Sequence, residues 1–424
     1  MSGSSGYNQL LQVGRPPAIS RLFPNSRALL VSGKVIDRAL AQKGQAMTIA
    51  ANGRSYAVLR GALQAAQRAD AAIIIEIARS ECGYCPVHFF NIARQVDAVC
   101  NELGITVPVA VHADHYGIKK ETDIPYARQE IPSMFEQGIT SIAIDASHMT
   151  DDKNLLANIE LNQYIPKWAG LETEVGEIKG AQGLSTVTDA LFLIEGLNAH
   201  GIVPDWIALN NGTTHGIETS GQGIQVELTA SIHAALRPYG TSGAQHGTSG
   251  NSSDKLRAIA AKTHTTKANV ATALQMVSWG VEVNDYGNAI FDDAGNFKKV
   301  KGEGLSEELW AEMVAYAEGK GWKKGDYKKL NLPFEMKILA QPKAVRERMY
   351  KGVEDFVYGM LATVMNAEGT ASIARDIIAE AGGYDLGPKA AVSQKAADWT
   401  KEKILERAKA LGIGDKGPAG NFDD

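Results

Sequence analysis

The sequence predicts an α/β fold, a closed (β/α)8 TIM barrel with a C-terminal helical extension, and three observations carry that expectation. Short apolar runs recur about every 25–35 residues, the length of one βα unit. Stretches of helical period lie between them. Ionisable residues gather just past the runs, at the end of the strands where barrels of this class hold their ligands.

The expected strands are 46–51 (AMTIAA), 71–77 (AAIIIEI), 106–112 (TVPVAVH), 140–145 (TSIAID), 171–175 (LETEV), 205–210 (DWIALN), 241–245 (TSGAQ) and 265–270 (TTKANV). The seventh and eighth have weak strand propensity and are placed by the rhythm. Between them, 54–68 puts Ala57, Leu59, Ala62, Leu63 and Ala66 on one stripe. Residues 89–103 and 186–200 repeat that pattern, and 252–262 opens on Ser-Ser-Asp, a good N-cap signal. Strands separated by helices need parallel crossovers. Eight such units favour a closed barrel over an open doubly wound sheet, the alternative.

After about 300 the rhythm changes. A loop rich in Lys, Gly and Asp (293–303) leads to helical patterns at 305–320, 343–366 and 393–411. Residues 1–300 are expected to form the barrel with its lead-in, and 301–424 a helical extension packed on it. Met1-Ser-Gly-Ser-Ser-Gly6 reads as a flexible lead-in, and the chain beyond about 412 as a disordered tail.

Composition excludes several classes. A formal net charge of −5 over 424 residues leaves no footprint for a polyanion, which argues against nucleic acid. No apolar run approaches the ~20 residues that cross a bilayer, so no membrane partner is expected. The three cysteines make no disulfide framework. Cys82-Gly-Tyr-Cys85 has redox or half-zinc spacing, but no second pair completes it, and an incidental pair is the expectation. A cytoplasmic location follows.

The strand ends carry the chemistry-bearing residues. Strand three ends in His112-Ala-Asp114-His115, strand four in Asp145-Ala-Ser147-His148, and strand five carries Glu172 and Glu174. Strand six runs to Thr214-His215-Gly216, strand seven to His246-Gly247-Thr248-Ser249-Gly250, and strand eight to Asn269. A lone His near a strand end is more often structural than a ligand. His88, His200, His233 and His264 are therefore read as surface or packing residues, and His112 and His148 as residues that orient a ligand. His115, His215 and His246 come from three strands and would converge on one mouth. Three imidazoles with a nearby carboxylate suit Zn2+ with an open position. The small residues around Gly216 and Gly247 leave backbone N–H groups open to phosphate oxygens; plain glycine turns are the bland reading.

Taken together these motifs resemble the class II, metal-dependent fructose-bisphosphate aldolases over roughly residues 30–290. His112-Ala-Asp114-His115 resembles the family's HxDH, which makes Asp114 the catalytic acid/base and His115 a metal ligand. Ala143-Ile-Asp145-Ala-Ser147-His148 is similar to IDxSH, and Leu171-Glu-Thr-Glu174-Val-Gly176 to (V/L)ExELG. Thr214-His215-Gly216 resembles VHG, and His246-Gly-Thr-Ser-Gly250 resembles HGGSG. The resemblance implies metal binding by His115, His215, His246, Glu174 and Asp145. It implies substrate or phosphate binding by Gly216, Gly247, Thr248, Ser249, Asn269 and Thr272. Zinc is the expected cofactor, with a second divalent or monovalent cation as a further candidate. Glu177 is a loose candidate for the mobile-loop proton carrier. Arg346 or Arg348 would reach the second phosphate from a neighbouring subunit, which implies a homodimer or higher homo-oligomer. One departure matters most: where the family has NxDTD, this chain reads Asn269-Val-Ala271-Thr272-Ala273, without the first aspartate.

The expected reaction is retro-aldol cleavage of fructose 1,6-bisphosphate to dihydroxyacetone phosphate and glyceraldehyde 3-phosphate, with a tagatose-bisphosphate or related aldolase as the alternative. No amine looks placed as a Schiff-base sink, since Lys267 lies within strand eight, so a divalent cation would polarise the ketone. A barrel metal hydrolase would call for HxH on strand one, where this chain has Ala50-Ala51-Asn52. A non-catalytic phosphosugar-binding protein is disfavoured by the retained Asp114 and histidines.

Overall fold

The computed structural model describes residues 3–176, 183–213, 223–284 and 287–413. Among them, eight parallel strands form: β1 Thr48–Asn52, β2 Ile73–Ala78, β3 Val109–Gly117, β4 Ser141–Asp145, β5 Gly170–Val175, β6 Trp206–Leu209, β7 Ser242–Gln245 and β8 Thr265–Val270. Each pairs with its neighbours in sequence, and β8 returns to β1 through Thr48↔Lys267 and Ala50↔Asn269. That closure rules out the open sheet and leaves no exposed edge. β7, Ser-Gly-Ala-Gln, forms despite its propensity because both neighbours hold it and small residues are required there. A Cβ at Gly243 would lie 2.1 Å from the His233 ring on helix Val226–Leu236.

Helices Tyr56–Ala69, Ile92–Leu103, Val187–Ala199 and Ser253–Lys262 occupy the four expected stretches. Ser252 accepts from Lys255 N–H, the cap that the Ser-Ser-Asp signal implied. Helix Gly33–Lys43 precedes β1 and closes the N-terminal end of the barrel against Ser141 and Trp206.

The C-terminal helices lie on this frame. Helix Lys343–Gly359 packs along Tyr56–Ala69 so closely that a Cβ at Gly61 would sit 2.5 Å from Val353 Cβ. Helix Thr370–Ala381 packs on Gly33–Lys43. A second apolar cluster, with Trp279, Phe297, Trp310, Tyr327 and Met349, runs across residue 300 and joins the barrel's last helix to the extension.

Four expectations need correction. The lead-in is not loose throughout, since Gly3–Gly14 is helical and its Tyr7 hydroxyl donates to Arg27 O at 2.7 Å. The 293–303 loop is the return arm of a short antiparallel excursion, bridged at Val281↔Lys299 and Phe291↔Phe297. The 343–366 helix is α-helical to Gly359 and continues as a π-helical turn, Met360–Val364. Within 393–411 only Lys401–Leu411 is an α-helix. Asn198 Oδ1 accepts from Ser393 N and Gln394 N at 2.8 and 3.0 Å, which pins the preceding segment to the barrel. The tail beyond 413 lies outside the described residues.

Candidate functional site

The barrel interior sets the site's chemistry before any loop contributes. Glu76, His112, Asp114, Glu172, Glu174, Lys267 and Asn269 are buried, and the pairs His112/Asp114, Glu172/Glu174 and Lys267/Asn269 are two residues apart along their strands, the spacing that keeps side chains on one face. Lys267 is the hub. Its ammonium lies 2.7 Å from Glu172, 3.2 Å from Glu76 and 3.5 Å from Asp114. Burial alone would lower its pKa, but these carboxylates, Glu172 first, raise it above the usual lysine range. Burial would likewise raise Glu172, yet Lys267 and the neighbouring His112 and His246 imidazoles hold it well below the carboxylate range. Glu76 goes the other way, raised by burial and by Asp114. An amine held protonated in this way is a poor nucleophile.

At the mouth, β3 carries a register shift against β4 between Ala113 and Tyr116, and within it His115 adopts φ +40°. A non-glycine residue in that region costs about 1–3 kcal/mol and marks a position held for a purpose. The bulge turns His115 toward β7. Its Nε2 lies 2.7 Å from His246 Nδ1, with the rings perpendicular. The outer nitrogens are accounted for by carboxylates. His246 Nε2 meets Glu172 Oε1 at 2.7 Å, and His115 Nδ1 meets Glu174 Oε1 at 3.0 Å and Asp145 Oδ2 at 3.2 Å. Carboxylates on the outer nitrogens orient the inner ones toward a shared point, as is usual for imidazoles that bind metal. Burial would lower the His115 pKa, but Glu174 and Asp114 raise it well above the imidazole range.

The donor set fits a divalent cation. Ligand atoms converge in the groups Asp114–His115–His246, His115–Asp145–Glu174 and Glu172–Glu174–His246. Glu174 Oε1 is buried without a directed hydrogen bond, a lone pair left for an electrophile. His215, Gly216 and Glu177 lie outside the described residues.

Asp114 receives Asn269 Nδ2–H at 2.9 Å. Burial would raise its pKa, but His115, Lys267 and His246 bring it down to about 2, so it is ionised and able to take a proton. It opens onto a cavity of about 420 Å³ that Gly247, Thr248, Ser249, Asn269 and Thr272 also line. Thr248 Oγ1 donates to Gln245 O at 3.1 Å, a bond that shapes the loop. Asn269 touches Asp114 as well as the cavity. Ala271 lines the wall where an aspartate was missing from the motif. Neither Arg346 nor Arg348 lines the cavity, and Arg348 donates to Gly304 O and Leu305 O at 2.7 and 3.0 Å. His112 is buried with Nδ1 2.7 Å from Ser141 Oγ and Nε2 3.4 Å from Glu172. Burial pushes the Cys82 thiol up to about 12 and that of Cys85 higher still, the reverse of a reactive CxxC pair.

Several wall residues went unread in the sequence. Arg54 pairs with Glu81 at 2.5 Å and with Gln275 at 3.1 Å, and Glu81 also caps Ala78 N. Arg54 follows β1, so the strand-end rule applied to Asn52-Gly-Arg54 would have found it. Lys324 and Lys328 reach the cavity from the extension, where no barrel rule looks.

Comparison with known proteins places this geometry. Residues 35–317 match the sequence model of the family described as fructose-bisphosphate aldolase class-II. A fructose-bisphosphate aldolase of Staphylococcus aureus is 26% identical over 159 residues, 36% of this chain and 52% of that protein. The chain thus spans about half the length of that relative. A fructose-bisphosphate aldolase of Streptococcus pneumoniae is 29% identical over 224 residues, 50% of this chain and 69% of that protein. The YdjI aldolase of Escherichia coli K12 superposes with a TM-score of 0.54 at 17% identity, covering 81% of this chain and 99% of that one, a likeness of fold. No helix among the described residues is long and apolar enough to cross a membrane.

Proposed function

We propose, from the premise that this chain belongs to the class II fructose-bisphosphate aldolase family, that it is a metal-dependent lyase cleaving fructose 1,6-bisphosphate reversibly into dihydroxyacetone phosphate and glyceraldehyde 3-phosphate. The observation that carries the reading is the pair of inward imidazole nitrogens, His115 Nε2 and His246 Nδ1, 2.7 Å apart and grouped with Asp114. These two, with His215 and with Glu174 and Asp145 nearby, are the residues that would hold the cation, zinc in this reading. The cation would supply Lewis-acid polarisation of the substrate carbonyl.

The chain's own groups do the rest. Asp114 takes the proton of the C4 hydroxyl. The C3–C4 bond breaks, its electron pair moves onto the ketone carbon–oxygen system, and the aldehyde half leaves. The enediolate that remains takes a proton at C3, with Glu177 as the candidate carrier. Asn269 holds Asp114 in place for the transfer. The Gly247–Ser249 loop, with Gly216 and Thr272, anchors one phosphate and so orients the reacting bond. Residues 1–300 would carry the reaction and 301–424 support its rim. Ala271 on the cavity wall favours keeping tagatose bisphosphate as the second substrate reading. A cytoplasmic homodimer or higher homo-oligomer completes the proposal, with Arg346 or Arg348 offered to a neighbouring subunit.

The test is triose phosphate release from the two epimeric bisphosphates, with and without chelator, at matched metal content. Release that stops on chelation and returns with zinc is expected. Release that survives thorough chelation, or none from any ketose bisphosphate, sinks the reading. Asp114→Ala should lower turnover about 10²–10⁴-fold while metal stays bound. Loss of metal along with turnover would make Asp114 structural.

A further inference from the structure

We infer that Asn331, on the C-terminal extension, is a positioning residue for the site. It locks the 3-10 segment Lys324–Leu330 to the barrel through Gln275 and Arg54, and so sets how tightly the cavity holds substrate. The inference rests on the aldolase reading above and deepens it, naming the part of the extension on which substrate binding depends. The segment and Asn331 follow residue 317, where the family match stops, so the barrel motifs do not account for them.

The cavity wall is built from both parts of the chain. Lys324, Gly325 and Lys328 of the extension line it together with Arg54, Glu81 and Gln275 of the barrel. A run of hydrogen bonds among buried groups ties the two together. Glu81 accepts from Ala78 N at 2.9 Å and from Arg54 Nε at 2.5 Å. Arg54 Nη1 donates to Gln275 Oε1 at 3.1 Å, and the same oxygen accepts from Asn331 Nδ2 at 3.0 Å. Asn331 Nδ2 also donates to Lys328 O at 2.8 Å, which closes the run on the wall segment itself. Beside it, Leu332 N donates to Tyr84 O at 3.2 Å.

The polarity of this run is dictated by its one cation. A guanidinium only donates, so Arg54 holds Gln275 with its oxygen toward it. That oxygen can then take Asn331 only through an N–H. Asn331 is fully buried and its Oδ1 makes no hydrogen bond, so its side chain is oriented by two N–H donations, one to the barrel and one to the extension. Gln275 lies on helix Thr272–Trp279, whose first residue also lines the cavity. Without the Asn331 donation the wall segment is released, and Gln275 is free to turn away from Arg54. A site whose competent arrangement is only partly populated binds its ligand more weakly by that fraction.

The test compares the wild type with Asn331→Leu, which keeps the shape and removes both donors, and with Asn331→Ser, a smaller change whose hydroxyl is too short for the same span. In N331L, hydrogen exchange of residues 324–331 should quicken about 10-fold, the loss of one or two hydrogen bonds, with the eight strands exchanging as in the wild type. KM for fructose 1,6-bisphosphate should rise about 10-fold, with kcat within about twofold and bound metal unchanged. A residue that only stabilised the fold would lower the active fraction, and so kcat at saturation, without moving KM. N331S should show the same changes at smaller size, and it decides the matter where N331L does not fold. Unchanged exchange, quickened exchange with KM unmoved, or a fall in kcat alone overturns the inference. Calorimetric titration with fructose 1,6-bisphosphate keeps the two readings apart. A wild type that binds it without turnover, and about 10-fold more weakly in N331L, fails as an aldolase yet retains the positioning role. Absent binding, or affinity indifferent to Asn331, removes that role whatever the activity.

Discussion

Charge is buried at both ends of this barrel, and the two ends treat it differently. At the N-terminal end, Asp37 accepts from Thr266 Oγ1 at 2.6 Å and from Lys389, whose ammonium also reaches Asp205 O at 2.9 Å and Ser242 Oγ at 3.1 Å. Asp205 in turn accepts from Leu171 N. Each of these carboxylates has directed donors. At the C-terminal end, Lys267 faces three carboxylates. Both oxygens of Glu76, Nε2 of His112, Oε1 of Glu174 and Oδ1 of Asn269 lack a directed hydrogen bond. Native interiors rarely leave such groups unmet unless something else claims them. The difference separates an end built to hold the fold from an end built to hold a ligand.

The sharpest way to break that contrast is to remove the hub. Lys267→Met leaves buried Glu172, Glu76 and Asp114 without their cation, and a stability loss of about 3–5 kcal/mol is expected. The loss should narrow as pH falls, because a protonated carboxyl no longer needs the ammonium. Denaturant unfolding at pH 8 and pH 5.5 reads both effects. A variant as stable as its parent at pH 8 would show that the carboxylates do not depend on Lys267. The same contrast predicts a smaller, purely structural effect below. Asp37→Ala strands Lys389 and Thr266, which should cost about 1–3 kcal/mol, while kcat at saturating substrate stays within error. A fall in kcat would mean that the lower end is coupled to the site.

These two ends were not equally legible in the sequence. The eight strands were, including the weak β7 and β8, because a closed barrel imposes a rhythm that survives poor local propensity. His115, His246, Asp114 and Glu174 could be singled out because strand ends are where such residues matter, and the fold brings them close together. Lys267 was seen but set aside, since nothing in a strand pattern says that its partners, Glu76 and Glu172, sit on strands far off in sequence. Lys324 and Lys328 were invisible for a related reason. They approach the cavity from a segment whose path depends on packing around Trp279, Phe297 and Tyr327, not on local periodicity. The lower end's Asp37 and Lys389 meet across 352 residues, a separation no motif spans.

The smallest predicted effect refines the contrast through a histidine. His233 is buried at the lower end, where its Nδ1 accepts from His264 N at 3.3 Å and its ring fills the space left by Gly243. Burial first, and the nearby His264 second, lower its pKa to about 3. Its unfolded value is about 6.5. The unfolded chain therefore binds the proton more readily, and stability that is fully present above pH 6.5 is lost as pH falls toward 3. By pH 6 this one ring accounts for a loss of about 1 kcal/mol relative to pH 8. His233→Gln, which keeps an acceptor for His264 N but cannot charge, should be less stable at pH 8 and lose about 1 kcal/mol less on acidification. Equal pH slopes for the two proteins would mean that the lower end tolerates a charge there. The contrast with the unmet groups above would then rest on hydrogen bonding alone.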